Sequence, residues 1–311
     1  MIGLTESEEL MAFLDFFKPS IAKAKPQPLS FSEPIFLKED NSTEKQLQEL
    51  KRWKDCVVKE QQELLEQDIK MLASGISGEN AIVYELKNSY LPLLILQNLH
   101  FKIGDNSAQI DFVVISINCI LVIECKKLLY DIEITSKGDF NRCFKSKNGT
   151  IYKKEGFYSP ITQNQRHIEM VRKLLSAHLD GFNPQKYQNL LQSVVVLANP
   201  KTVVQDSQAP KEIRDNIIKC DQLISYIKNL QQKNAITFLE EQEMRAVADI
   251  LLQQHIDTPT NYVKNYRFSV PVCPKCKIPM VKRKAQKGAN AGKEFWGCAH
   301  YPHCRQIINI E

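Results

Sequence analysis

The sequence lacks any apolar run that could cross a membrane. None of its stretches reaches the roughly 18 consecutive apolar residues that a spanning helix needs. The N-terminal stretch, MIGLTESEELMAFLDFF, holds early acids and no basic region of the kind that opens a signal peptide. We therefore expect a cytoplasmic protein without a membrane segment.

Glycine-rich phosphate loops, internal repeats and low-complexity tracts are also absent from the sequence. Nothing in it matches a P-loop or a GxGxxG turn. A hydrophobic content of 43% and a charged content of 25% are ordinary for a soluble globular protein. The 311 residues are enough for one sizeable core with an appendage, or for two domains.

A disulfide scaffold is a further feature that we do not expect, although the chain has nine cysteines, because a cytosolic protein keeps its thiols reduced. Five of the cysteines are scattered, and we interpret them as buried free thiols. These five are Cys56, Cys119, Cys125, Cys143 and Cys220. The other four cluster near the C-terminus and need a separate explanation.

Positive charge is scarce outside the C-terminal segment. Residues 264–311 hold ten Lys or Arg and two acids, a balance of +8, whereas the rest of the chain has 31 basic and 34 acidic residues, a balance of −3. A small basic domain on a mildly acidic body predicts a polyanionic partner for that domain. The alternative is a merely soluble surface.

Local patterns divide the chain into five parts. Residues 1–42 contain a proline-rich stretch and are predicted to form an extended N-terminal segment. Residues 43–73 show an apolar stripe that predicts one long amphipathic helix for packing or dimerisation, so that oligomers could form through it. The sequence SGISGE at 74–79 is expected to break this helix, and a second helix follows over 79–87. A separate domain, which we call the body domain, is assigned to 74–200.

Apolar runs within the body predict a series of strands. They cover residues 93–101, 109–116, 120–126, 131–135 and 193–199. The two-residue gap Ile117-Asn118 predicts a hairpin between the second and third of these runs. Residues 160–179 are predicted to be helical, and 201–262 to form a helical extension of the body.

The C-terminal cysteines have the spacing of zinc ligands. Two residues separate Cys273 from Cys276, which lets both thiolates reach one tetrahedral ion, and Cys298 and Cys304 follow. A segment of about 40 residues buries too little apolar area to fold alone, so bound metal would supply the missing stability. His300 and His303 lie within the second pair, and either could replace a thiolate.

This segment resembles the four-cysteine zinc finger at the C-termini of bacterial type I DNA topoisomerases. The resemblance is carried by CPKC, MVKRKA, Phe295-Trp296 and GCAHYPHCR, and covers about 271–309. It implies that the module, assigned to 271–311, binds DNA and that single strands are the candidate form.

Basic and aromatic side chains of the module are predicted to contact DNA. The predicted contacts are Lys282, Arg283, Lys284, Lys287, Phe295, Trp296, Tyr301 and Arg305, with Lys293 as a further phosphate ligand. Lysines and arginines neutralise phosphates, and aromatic rings offer faces on which bases stack. The alternative for the aromatic residues, and for Trp296 in particular, is a miniature core around the zinc.

An acidic and lysine-containing group in the body predicts a second metal site. Asp111 and Glu124 fall on adjacent predicted strands, and Lys126 shares a face with Glu124 because side chains alternate along a strand. The strand that carries Glu124 is apolar on both faces and therefore buried, so charged residues at its end require an explanation. A Mg²⁺ ion held by the two carboxylates would explain them. Such an ion would polarise a scissile phosphate, and Lys126 would orient or help to deprotonate the water that attacks it.

Two further polar residues lie on apolar helix faces. Glu79 shares a face with Ile82, Val83 and Leu86, which makes it either a member of a buried site or an acid stabilised by the dipole at a helix start. Gln163 lies on the same face of its helix as His167. Both residues are candidates for the site of Asp111 and Glu124.

The body resembles the nuclease-related domain, NERD, of the PD-(D/E)xK nuclease superfamily. The resemblance is carried by Gly78-Glu79, Gly104-Asp105, Gln109-Ile110-Asp111, ILVIECKK, and Pro160 to Gln163 with His167. It implies an α/β fold of the restriction-endonuclease type, with a mixed sheet flanked by helices. It also implies divalent-metal-dependent phosphodiester hydrolysis by Glu79, Asp111, Glu124, Lys126 and Gln163. Phe112 departs from the family pattern, in which His is expected more often after the Asp.

The sequence therefore predicts a cytoplasmic DNA nuclease that uses Mg²⁺ or Mn²⁺ and holds DNA through one structural zinc module, in DNA processing, repair or defence. A non-catalytic DNA-binding or scaffolding protein on a nuclease fold is the alternative. A role in RNA processing is a more remote one, since phosphodiester chemistry alone does not distinguish the sugar.

Overall fold

Three β-sheets organise the part of the chain that the computed structural model describes, residues 26–234, 237–257 and 266–310. The strands are β1 (Ile35–Lys38), β2 (Leu94–Ile103), β3 (Asn106–Ser116), β4 (Cys119–Lys126), β5 (Asp131–Ile134), β6 (Phe140–Lys145), β7 (Ile151–Phe157), β8 (Leu191–Leu197), β9 (Val204–Gln205), β10 (Ile217–Lys219), β11 (Met280–Lys284), β12 (Glu294–Cys298) and β13 (Ile307–Asn309). The main sheet has the order β1-β2-β3-β4-β8-β10, a second sheet the order β7-β6-β5-β9, and the C-terminal sheet the order β11-β12-β13. The β2-β3-β4 meander is antiparallel, whereas β4-β8 and β8-β10 are parallel, so the main sheet is mixed as predicted.

Helices cover both faces of the main sheet. They are α1 (Ser42–Arg52), α2 (Gln62–Lys87), α3 (Pro160–His178), α4 (Pro184–Leu190), α5 (Lys211–Arg214), α6 (Leu223–Lys233) and α7 (Glu241–Gln253), with short 3₁₀ turns at Lys59–Gln61 and Cys220–Gln222. Helices α3 and α7 pack on one face, and α2 and α6 on the other. The predicted mixed α/β fold with a small C-terminal ribbon is confirmed. No helix in the described ranges is both long and apolar enough to span a bilayer.

Strand β4 is buried on both faces, as its sequence predicts. Ile120 and Val122 contact the core beneath α3 and α7, and Leu121 and Ile123 contact the core beneath α2 and α6. The predicted hairpin is present, because Ser116 pairs with Cys119 at the end of the β3-β4 ladder. The carboxyl end of β4 therefore lies between two layers of helices, which is where its charged residues begin.

The prediction of one helix over 43–73, broken at 74–79, is wrong. Helix α1 ends at Arg52, and α2 then runs without interruption from Gln62 to Lys87 through both Gly75 and Gly78. A Cβ atom at Gly78 would lie 3.1 Å from the Cβ of Lys127 and 3.2 Å from the Sγ of Cys125. This glycine permits close packing of the helix on the sheet, and that packing outweighs its poor helix propensity.

Other boundaries also differ from the sequence-based prediction. Residues 35–38, expected in the extended segment 1–42, form the edge strand β1 that pairs in parallel with β2, while residues 1–25 lie outside the described ranges. Strands β6 and β7 were not predicted, because their sequences FNRCFK and IYKKEGF are largely polar. The predicted helical extension 201–262 also contains the short strands β9 and β10.

The C-terminal ribbon packs against α1 and α2 rather than standing apart. Trp53, just after α1, makes edge-to-face contacts with Phe268 and Tyr266, with ring centroids 5.5 and 6.3 Å apart. Leu50 and Leu65 belong to the same buried cluster as all four C-terminal cysteines. Most of the apolar stripe that predicted a packing or dimerisation helix is thus covered within the chain, whereas Leu64 of the stripe is exposed.

Candidate functional site

The β3-β4 ladder brings the two predicted acidic ligands together. Phe112 pairs with Ile123, so Asp111 and Glu124 are the next residues of each strand toward the same end of the sheet. The Oδ2 atom of Asp111 accepts a hydrogen bond of 2.7 Å from the backbone N–H of Cys125. Burial first, and the neighbouring Glu124 charge second, raise the pKa of Asp111 well above its ordinary value.

Glu124 is the most deeply buried acid of this site, with 2% of its surface exposed. Its Oε1 atom lies 2.5 Å from the Nζ atom of Lys126, whereas its Oε2 atom has no hydrogen-bond partner. Nδ1 of His167 lies 3.4 Å from Oε2, and this nitrogen also lacks a hydrogen bond. Burial raises the pKa of Glu124 although Lys126 opposes the shift, and burial lowers the pKa of His167 to about 4.

Helix α3 supplies Gln163 and His167 from its first two turns. The hydroxyl of Ser159 caps the helix by accepting from the N–H of Thr162, and Pro160 occupies the first turn. The helix is fixed to the sheet where Asn164 donates to two strand carbonyls, at 3.2 and 2.9 Å. Gln163 can therefore accept a 3.2 Å hydrogen bond from Nζ of Lys126.

Glu79 reaches the same place from the opposite layer of helices. It lies in the interior of α2 and not at a helix start, so the interpretation as a dipole-stabilised terminal acid is wrong. Its Oε2 atom accepts a 3.3 Å hydrogen bond from Nε2 of Gln97, while burial raises its pKa. All five predicted catalytic residues line one pocket of about 250 Å³, which we call the carboxylate pocket. They are Glu79, Asp111, Glu124, Lys126 and Gln163.

The donor set of the carboxylate pocket fits a hard divalent cation. Carboxylate oxygens are the ligands that Mg²⁺ and Mn²⁺ prefer, and Oε2 of Glu124 is buried without a hydrogen-bond partner. In the described ranges, no three carboxylate oxygens from different acids of this pocket all lie within 4.8 Å of one another. The sulfur atoms of the C-terminal cysteines, described below, do meet this distance. Cation binding would therefore require small adjustments of their side chains.

A feature that sequence reasoning missed lies beside Asp111. Asn98 has a φ of 51° in the interior of β2. Side chains alternate between the two faces of a strand, so residues three apart normally lie on opposite faces. Leu96 and Leu99 nevertheless contact the same core, because the alternation is interrupted at Asn98. Nζ of Lys38 donates to the carbonyls of Gln97 and Asn98, at 2.9 and 2.8 Å. The Asn98 side chain accepts from Gln109 at 3.0 Å and donates to Asp40. The signal in the sequence is Gln97-Asn98 within an otherwise apolar run.

The four C-terminal cysteines form a group that fits a structural zinc ion. Their Sγ atoms all lie within 4.8 Å of one another, and those of Cys273 and Cys304 are 3.8 Å apart. The N–H groups of Cys276 and His300 each donate to a sulfur at 3.4 Å, to Cys273 and Cys298 respectively. A backbone N–H from Gln306 lowers the pKa of Cys304 to about 7, whereas the hydrogen bond with Cys304 raises the pKa of Cys276 to about 12 and burial raises the pKa of Cys298. A bound zinc ion would therefore have to stabilise the thiolates of these two cysteines.

The histidine alternatives are not part of this cysteine group. Nε2 of His300 lies 3.2 Å from Oε1 of Glu49 on helix α1, so this ring contacts the body of the protein. His303 is exposed and is likewise not a member of the four-residue group. The donor set is therefore four thiolates, as the spacing first indicated.

Most of the predicted DNA contacts line one groove of about 620 Å³ on the ribbon, which we call the ribbon groove. Its members among them are Arg283, Lys284, Lys287, Phe295, Tyr301 and Arg305. Three predicted contacts, Lys282, Lys293 and Trp296, do not line it. Lys282 pairs with Glu294 at 2.5 Å, and Trp296 packs against the cluster that joins the ribbon to α1 and α2. For Trp296, the structural role that we considered as an alternative is the one observed.

Comparisons with known families agree with both resemblances. Residues 74–198 match the model of the nuclease-related domain, NERD, and residues 270–311 match the model of the topoisomerase DNA-binding C4 zinc finger. No curated protein and no solved structure matches the chain. The chain thus contains a nuclease-related domain, which includes the whole carboxylate pocket, followed by a zinc ribbon of the topoisomerase type. The chemical roles of the individual residues stay predictions.

Proposed function

We propose that this chain is a nuclease that hydrolyses DNA phosphodiester bonds with Mg²⁺ or Mn²⁺, and that its zinc ribbon holds the DNA. The observation that supports this most is the meeting of Asp111, Glu124 and Lys126 in one pocket with a buried, unpartnered oxygen of Glu124. An unsatisfied carboxylate oxygen in a protein interior is costly unless a cation or a proton compensates it. A nuclease-related domain that keeps all three groups together has the means for hydrolysis.

In this proposal Asp111 and Glu124 would hold the metal ion, and Glu79 is a third acid of the same pocket. When bound, the ion would polarise the scissile phosphate and lower the pKa of a water molecule. The Nζ atom of Lys126 lies between Glu124 at 2.5 Å and Gln163 at 3.2 Å, so it is directed into the pocket. From there it donates hydrogen bonds to the attacking water or to a phosphate oxygen, and Gln163 holds it in place.

The zinc ribbon has the positive charge that DNA binding requires, whereas the carboxylate pocket is lined by acids. A pocket lined by carboxylates repels phosphates until a cation is bound, whereas four of the six predicted contacts in the ribbon groove are Lys or Arg. Phe295 and Tyr301 in the same groove offer rings for base stacking, which favours single strands. We therefore assign DNA affinity to the ribbon and catalysis to the carboxylate pocket.

The test is cleavage of single-stranded DNA, duplex DNA and RNA by purified full-length protein, with Mg²⁺, with Mn²⁺ and without added divalent ion. We expect Asp111→Asn and Glu124→Gln to lower the rate by roughly 10²-fold or more, as is typical for loss of a catalytic group. Asp215→Asn is the matched control, because Asp215 is an exposed acid paired with Lys211 at 2.9 Å. Cleavage by Asp111→Asn at the wild-type rate would refute the site assignment.

One observation favours the non-catalytic alternative. The ion pair between Glu124 and Lys126 already occupies one oxygen of the proposed metal ligand. A protein that binds DNA but cleaves neither DNA nor RNA with either ion would be a DNA-binding or scaffolding protein on a nuclease fold. Cleavage of RNA alone would instead indicate RNA processing.

A further inference from the structure

A second concave surface adjoins the carboxylate pocket along helix α3. This α3 groove has a volume of about 910 Å³ and shares Gln163 with the carboxylate pocket. Its other polar lining residues include Asn106, Tyr158, Arg166, Arg172 and Lys173. We infer that the α3 groove binds the DNA strand that leads to the scissile phosphate, an inference that rests on the proposed function.

The charge of the α3 groove is opposite to that of the body around it. Its lining has three basic residues and a single acid, Glu169, and that acid is paired with Arg172. The chain outside residues 264–311 has a net charge of −3, so this is a local positive surface on an acidic body. The α3 groove therefore attracts phosphates, whereas the adjoining carboxylate pocket repels them until a cation is bound.

The spacing of the basic residues matches a nucleic-acid backbone. Arg166 and Lys173 are seven residues apart on α3 and both are exposed, so they lie on one helix face about 10 Å apart along the axis. Phosphates of one strand of B-form DNA are about 3.4 Å apart along the duplex axis and further apart along the strand itself, so the two basic side chains can contact two phosphates of one strand.

An aromatic ring stands at the start of the groove. Tyr158, which precedes α3, is 56% exposed, and the guanidinium carbon of Arg166 lies 5.4 Å from its ring centroid. The cation–π contact holds the ring in place, and its exposed surface offers a face for stacking a base. Asn106 and Ser107 line the groove from the start of β3. Neither carries a charge that would repel a phosphate.

A cavity with a different lining is found on the other side of the carboxylate pocket. A cavity of about 380 Å³ there shares Gly75, Glu79 and Gln109 with the carboxylate pocket. Its lining contains the acids Asp68 and Glu79 and, within the residues that the structure describes, neither Lys nor Arg. The strand is thus held on one side of the scissile phosphate, along α3.

The test is DNA binding by full-length protein carrying Asp111→Asn, so that substrate stays intact. Arg166→Ala/Lys173→Ala is compared with Lys228→Ala/Lys233→Ala, which removes two exposed charges from α6 on the other face of the sheet. We expect the groove variant to reduce the log–log salt slope by about 1.4 on single strands and about 1.8 on duplex DNA. The control variant should leave the slope unchanged.

Photocrosslinking gives a second measurement that needs no groove substitution. DNA containing iododeoxyuridine should crosslink to Tyr158 and not to Tyr90, which is 75% exposed elsewhere. Equal slopes for the two double variants, without a Tyr158 crosslink, would overturn the inference while leaving the catalytic proposal in place. Loss of binding by the groove variant, with no cleavage by wild type, would support the groove and reject the nuclease activity. Absence of any DNA binding by wild type would overturn both.

Discussion

Asn98 shows how a single residue shapes the candidate site. A φ of 51° is unfavourable for most residues with a side chain, but asparagine tolerates it. Here it reverses the facing of β2 beside Asp111, and the preceding residue, Gln97, donates to Glu79. Hydrogen bonds from Lys38 to two carbonyls of the strand stabilise this conformation. The backbone conformation of one residue therefore helps to place Gln97 against Glu79, one acid of the carboxylate pocket.

We predict that Asn98→Val is much more destabilising than Asn98→Gly. Glycine adopts positive φ without strain and loses only the side-chain hydrogen bonds, at about 1 kcal/mol. Valine loses these bonds and adds the strain of a β-branched residue, for a total of about 3 kcal/mol. Urea unfolding of both variants measures the difference, and equal losses would mean that the backbone conformation at Asn98 is not the cause.

Helix α2 shows how two glycines in one element have different roles. A Cβ atom at Gly75 would meet nothing within 4 Å, whereas one at Gly78 would meet Lys127, Cys125 and Ala198 at 3.1 to 3.4 Å. The first glycine only weakens the helix, while the second sets its distance from the sheet. Because Glu79 follows Gly78 directly, the close approach also brings this acid to the carboxylate pocket.

We predict opposite effects of alanine at these two positions. Gly75→Ala should raise the free energy of unfolding by about 0.5 to 1 kcal/mol, since alanine is the better helix former and the site is open. Gly78→Ala should lower it by about 1 kcal/mol, because overpacking costs about 1 to 3 kcal/mol and exceeds the gain in propensity. Denaturant unfolding of the two variants is the measurement. A stabilising Gly78→Ala would show that α2 can move away from the sheet at little cost.

At the scale of the whole molecule, the zinc ribbon and the body share a core. The buried cluster joins Leu50, Trp53 and Leu65 of the body to Met280 and the four cysteines of the ribbon. Since Leu65 and Glu79 belong to the same helix, the ribbon is mechanically connected to the nuclease-related domain. Deletion of the ribbon would expose this cluster, so point substitutions test its function more cleanly than truncation.

Zinc removal should therefore be visible in tryptophan fluorescence. The chain has two tryptophans, and both Trp53 and Trp296 lie in or against the shared cluster. We expect one zinc per chain, and a red shift of the emission on chelation, because loss of the ion unfolds the ribbon. Cys273→Ser should reproduce the shift without chelator, and Cys56→Ser, outside the cysteine group, should not. Fresh protein with well under one zinc per chain would contradict the assignment.

The ribbon groove makes a separate prediction about DNA affinity. Lys287→Ala/Arg305→Ala removes two charges from the groove and should lower the salt slope of DNA binding by about 1.4 to 1.8. Lys275→Ala/Lys282→Ala removes two ribbon charges that do not line it, one of them paired with Glu294, and should have a smaller effect. Binding titrations of Asp111→Asn protein between about 50 and 200 mM salt measure both. Equal slopes for the two variants would mean that the groove is not the DNA contact.

Much of the candidate site could be read from the sequence because its signals are local. The spacing of Cys273 and Cys276 is set by two intervening residues, and strand alternation places Glu124 and Lys126 on one face. The short gap at Ile117-Asn118 fixes the hairpin that brings Asp111 beside Glu124. These features depend on neighbours within one or two elements, so a periodic pattern is enough to predict them.

Tertiary structure alone decided the features that depend on distant segments. Gly78 looks like a helix breaker until strand β4 packs against it, and the left-handed conformation of Asn98 is held by Lys38 and Asp40, from about 60 residues earlier. The apolar stripe around Trp53 predicted a partner without identifying it, because the partner, Phe268, lies more than 200 residues away in the sequence. Burial against such neighbours outweighs local propensity, and a sequence pattern records the need for burial but not the segment that satisfies it.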